Sequence, residues 1–132
     1  MSTQLATRLE NYFEDETNGN LRSIVKYEQD SFEVQFLRDD VRELYSEEEF
    51  VDAIDESRFE SLTTPIYGNL YADEHGELEC FVKSFENVVE MNFALSDGVG
   101  VAVALDSEAM AESHGLIVNA RNIVVEEREG SQ

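Results

Sequence analysis

The chain has 132 residues, 30 of them acidic and nine basic, for a net charge of −21 and a pI near 4.1. That length suits one domain with a genuine core and is too short for two. With 42% hydrophobic and 10% aromatic residues it is no disordered acidic tail, the lack of a basic cluster argues against nucleic-acid binding, and no apolar run approaches the roughly 20 residues that cross a bilayer.

Leu5, Leu9, Tyr12 and Phe13 recur at helical spacing and predict a first helix, capped by Ser2 or Thr3 and ended in the turn holding Gly19. Two strands follow. Leu21, Ser23, Val25 and Tyr27 are expected on one face of the first, with Arg22, Lys26 and Glu28 on the other. Phe32, Val34 and Phe36 alternate in the second, and Glu28 to Ser31 have the length and polarity of a hairpin loop. Asp39 to Tyr45 reads as a separate helical turn.

Ser46-Glu-Glu-Glu49 is a capping-box signature and opens a second main helix. Phe50, Val51 and Ile54 are expected to form its buried stripe, and it is expected to fade near Ser57 or Arg58. Beyond Pro65 an extra strand is expected over Ile66–Ala72, then a turn, a strand over Leu78–Glu86, and another in which Val89, Met91, Phe93 and Leu95 alternate with polar or small residues. Asp97-Gly98 is a hairpin signal. In the next strand Val99, Val101, Val103 and Leu105 oppose Gly100, Ala102 and Ala104, so another element should pack closely over the small-residue face.

A final helix should start at Asp106 or Ser107. Met110, Ile117 and Val124 lie seven apart, with Leu116, Ala120 and Ile123 on the same side. It should run to Glu126 or Glu127, with a possible break at Gly115 and a frayed end at 129–132. The whole, 1–132, is one α+β domain: an antiparallel sheet of about five strands packed by helices, in the order α-β-β-α-(β)-β-β-β-α.

A surplus of like charge destabilises the compact state in dilute buffer. Salt shortens the screening length from about 10 Å at 0.1 M to about 3 Å at 1 M and removes most of that repulsion. The charge is therefore read as adaptation to concentrated salt, with loosely held, non-specific cations around the surface. Seven of the nine basic residues are Arg, which agrees. The N-terminus shows no secretory pattern, and a soluble cytoplasmic protein is expected.

No constellation points to catalysis or to a cofactor. Cys80 is alone and has apolar neighbours; His75 and His114 are too few for a three-His zinc site. Ser113 and His114 are adjacent on a helix and point apart, and thirty acids make any one carboxylate pair uninformative. Asp73, Glu74, His75 and Glu77 lack the spacing of a calcium loop. Gly98-Val-Gly100 precedes a strand and cannot form a phosphate loop. Arg22, Lys26, Arg38 and Arg42 are read as ion-paired rather than as a partner patch.

The stretches Leu21–Tyr27, Glu33–Val41 and Val82–Glu86 resemble small acidic proteins of halophilic archaea, a likeness that implies habitat and no activity. The element order is similar to that of roadblock-type dynein light chains and the wider profilin-like group. This topological likeness implies a non-enzymatic module that binds protein partners or itself as a homodimer, with Phe50, Val51, Ile54 and a neighbouring edge strand as the contact. Fold alone does not assign function. The alternative is a small-molecule sensor with Tyr27, Tyr67 and Tyr71 lining its pocket.

Overall fold

The hydrophobic alternation of five short segments resolves into one antiparallel sheet with helices on both faces, an α+β arrangement in three layers. The computed structural model describes residues 3–65 and 74–130. In chain order these form α1 (Thr3–Thr17), β1 (Leu21–Tyr27), β2 (Phe32–Leu37), α2 (Asp39–Leu44), α3 (Glu47–Ser61), β3 (Phe81–Ser84), β4 (Val88–Ser96) and β5 (Val99–Asp106). A 3-10 turn (Ser107–Met110) then leads into α4 (Ala111–Gly130). The strand order is β2-β1-β5-β4-β3, so among the described residues β2 and β3 are the edges. The strand expected over 66–72 lies outside the described residues.

The two faces of β5 decide the layers. Val101, Val103 and Leu105 join Phe13, Leu21 and Ile24 in the larger core, closed by Leu5 and Leu9 of α1 and by Met110. Ala102 faces the other way, into a smaller cluster of Val25, Tyr27, Ile54 and Phe50 beneath α3. The close approach expected over the small-residue face is therefore made by α3 and by Tyr27. A Cβ on Gly100 would stand 2.6 Å from the Phe93 carbonyl oxygen and 2.7 Å from Tyr27 Cζ.

Local chemistry sets the boundaries. The Ser46 hydroxyl accepts from the Glu49 amide at 3.1 Å, and the Glu49 carboxylate accepts from the Ser46 amide at 3.0 Å. The Ser46 amide, the largest influence, holds the Glu49 carboxyl below its ordinary range. Gly19 (φ +90°) and Gly98 (φ +76°) make the turns after α1 and between β4 and β5.

Four expectations need correction. Leu21 does not share a face with Val25 and Tyr27, because the register against β5 shifts between Leu21 and Ser23, where β1 carries one residue more than its partner. Such irregularities reverse the alternation. Helix α3 continues to Ser61, because Arg58 bonds the Glu28 and Ser31 carbonyls and Ser61 accepts from the Gly98 amide; tertiary contacts carry a helix past its local signal. Strand β3 is confined to Phe81–Ser84, the stretch paired with Val89–Asn92. Helix α4 passes through Gly115 without a break and includes 129–130; an added Cβ at Gly115 would meet nothing within 4 Å.

Candidate functional site

The chemistry of the sheet gathers under and beside α3. Tyr27 is fully buried, and its hydroxyl donates to Asn92 Oδ1 at 2.6 Å. Asn92 Nδ2 in turn donates to the Ser57 carbonyl at 2.9 Å and to Glu60 Oε1 at 3.0 Å. Ser61 Oγ donates to the Arg58 carbonyl and accepts from the Gly98 amide. This polar bracket pins the C-terminal half of α3 onto β1, β4 and the β4–β5 turn. Burial pushes the Tyr27 phenol above its ordinary value, with the Asn92 hydrogen bond opposing the shift. Each buried polar group in the bracket is matched by another, as buried polar groups require.

At the opposite end of the sheet an ion-pair cluster joins three elements. Arg38 donates to Asp106 Oδ2 at 2.7 Å and to Oδ1 at 3.0 Å, a two-point fork. The same guanidinium reaches Asp40 at 2.6 Å and the Gly19 carbonyl at 2.9 Å, while Arg22 donates to Asp106 at 3.1 Å. Lys26, buried on β1, pairs with Glu33 at 3.0 Å. Three of the four basic residues near the first hairpin are thus committed to acids. Hydrogen bonds from Arg38, then from Arg22, hold the Asp106 carboxyl below the ordinary range despite some desolvation.

This pairing gives a pH dependence with a definite sign. Because Asp106 ionises more readily in the folded chain, its contribution is present above the ordinary carboxylate value near 3.8 and is lost as pH falls through the lower folded value. Asp106→Asn is expected to cost about 2 kcal/mol at neutral pH, since it weakens bonds to two part-buried guanidinium groups. The deficit should shrink as the pH is lowered through that range, which paired urea melts of the two proteins would show.

Two hollows flank the N-terminal half of α3. A cavity of about 380 Å3 lies between α3 and the sheet, with Ser23, Ala102 and Ala104 among its floor residues and Arg22, Lys83 and Glu90 among its charged ones. The small side chains of β5 leave this room where α3 stands off the sheet. A groove of about 430 Å3 runs between edge strand β2, α2 and α3, lined by Phe32, Val34, Leu37, Tyr45, Phe50 and Val51 among others. Phe32 and Phe50 meet edge-to-face across it, with centroids 6.1 Å apart.

The residues singled out from sequence fall in different places. Val51 is 40% exposed on the groove, Phe50 is part-buried between groove and cavity, and Ile54 is buried against the sheet. Tyr27 sits in the bracket, while Tyr67 and Tyr71 lie outside the described residues. Cys80 is half-buried, and burial raises its thiol above the ordinary value. Asn92, Ser61 and Glu60 had no sequence signal, because their meaning depends on which strand faces which helix. Among the described residues no group of three or more His, Cys, Asp or Glu could hold a metal ion, and no helix is long and apolar enough to cross a membrane.

The sequence model of one family, described as "Domain of unknown function (DUF7522)", matches residues 7–125. No curated protein and no solved structure matches the chain.

Proposed function

We propose that this chain, which belongs to the DUF7522 family of domains of unknown function, is a non-enzymatic protein-interaction module acting in the cytoplasm of a halophilic archaeon. The observation that carries this reading is the apolar groove on the β2 edge. Phe32, Val34, Tyr45 and Val51 are each 39–46% exposed along it. Contiguous apolar surface of this kind marks binding sites on otherwise polar proteins, and on this chain the surrounding surface is strongly acidic. Among the described residues β2 is an edge strand beside the groove, the arrangement by which an extended partner segment adds to a sheet. Glu47, a groove residue beside Glu48, favours a partner whose apolar residues are flanked by Lys or Arg.

The spending of buried polar groups on structure also supports a non-catalytic role: Tyr27, Asn92, Glu60 and Ser61 bond one another and the backbone. Support for the likeness to roadblock-type and profilin-like modules is limited to the element order around one five-stranded sheet. A second reading, a small-molecule sensor, is favoured by the open-sided hollow under α3.

A photo-crosslinking side chain in place of Val51, compared in native cells with one in place of exposed Glu14, tests the proposal. A discrete cross-linked protein specific to position 51 is expected. Equal labelling from both positions would overturn it, and a copurifying small molecule with no cross-linked chain would move the assignment to the sensor.

A further inference from the structure

We infer that α4 is a self-association surface, pairing antiparallel with α4 of a second copy about a two-fold axis near Ala120. Leu116, Ile123 and Val124 are 74%, 66% and 56% exposed, and Ala120 is exposed between them. At about 100° per residue these four positions fall within an arc of roughly 100°, the width of a packing stripe. The helix is 20 residues long, or about 30 Å. Its first turn is anchored by the 3.1 Å bond between Ser84 Oγ and His114 Nδ1, and among the described residues of the same copy none covers the stripe.

Charge selects the occupant. Residues 113–125 form the longest stretch of the sequence without an acid, and Arg121 is its one charged residue. On a chain of net charge −21, contact through this segment brings two copies together with the least like-charge repulsion.

Orientation follows from the stripe itself. Around a two-fold axis at Ala120, Leu116 of one copy meets Val124 of the other, with the small alanine at the closest approach. Glu127 lies on the same side of the helix. Parallel pairing would set the two Glu127 residues side by side, whereas antiparallel pairing separates them by about 21 Å along the axis.

The surface is separate from the β2 groove, and the test keeps the two apart. Sedimentation velocity of the full chain in about 2 M KCl, where charge is screened, should show a dimer at micromolar concentration. Leu116→Glu combined with Ile123→Glu should raise the dissociation constant at least about 100-fold with unchanged circular dichroism, whereas Val51→Glu should remain dimeric. Ala120→Cys in a Cys80→Ser background should cross-link to a reducible dimer under mild oxidation, because the axis brings the two positions within disulfide reach. A wild-type monomer, a double variant that still dimerises, association seen only on lipid vesicles, or a dimer without the cross-link would each overturn the assignment.

Discussion

A Gly100→Ala chain is expected to be about 3 kcal/mol less stable than wild type, in urea melts run in concentrated KCl. The new methyl group would stand 2.6 Å from the Phe93 carbonyl oxygen and 2.7 Å from Tyr27 Cζ, well inside contact distance. Neither neighbour can give way freely. The Phe93 carbonyl is main chain on a strand paired with β5 through Phe93↔Val101 and Ala94↔Gly100. The Tyr27 ring is fully buried and held by its hydroxyl on Asn92. Overpacking of this kind costs about 1–3 kcal/mol, and here a backbone shift would also strain the bracket that holds α3. The same substitution at Gly115 has the opposite sign. That position is helical with nothing within 4 Å of an added Cβ, so Gly115→Ala should gain up to about 1 kcal/mol from helix propensity. Equal effects at the two glycines would show that the Tyr27 ring and the Phe93 carbonyl do not close over Gly100 as described.

Stability should also rise steeply with potassium chloride. Treated as a uniformly charged sphere with the area of this chain, 9115 Å2, a net charge of −21 carries a self-energy of about 9 kcal/mol at 0.1 M salt and about 3 kcal/mol at 1 M. The unfolded chain keeps part of that repulsion, so the gain on adding salt is at most about 6 kcal/mol. Weakened ion pairs act the other way. The Arg38–Asp106 pair is partly exposed, and such a pair contributes about 1 kcal/mol or less, so the screening of repulsion wins. Melting temperatures between 0.1 and 2 M KCl should climb throughout, and more than in equimolar uncharged osmolyte. A flat curve would remove the reason for reading the acidic surface as salt adaptation.

What could be read before folding was whatever a few neighbouring residues decide. The Ser46–Glu49 capping box, the positive-φ turns at Gly19 and Gly98, and the alternation of β5 all depend on short-range spacing, and each stands as expected. The fold class followed from their order. The register shift in β1 could not be read, because it depends on how Leu105 and Ala104 pair across the sheet. The length of α3 was likewise hidden, since Arg58 extends it by bonding carbonyls about thirty residues away in sequence. The stripe on α4 was legible as a periodicity, but whether anything covers it is a fact of three dimensions. The same holds for the groove: Val51 reads as core by spacing and stands 40% exposed beside β2.

Helix α3 is held unevenly along its length. Its second half is bolted to the sheet by Asn92, to the β4–β5 turn through Ser61, and to the hairpin loop by Arg58. Its first half rests on Phe50, the aromatic ring that borders both hollows. The helix is thus a lever with its fulcrum at the carboxyl end. Material wedged against one side of that ring pushes toward the vacancy on the other side, so the two spaces trade volume instead of growing together.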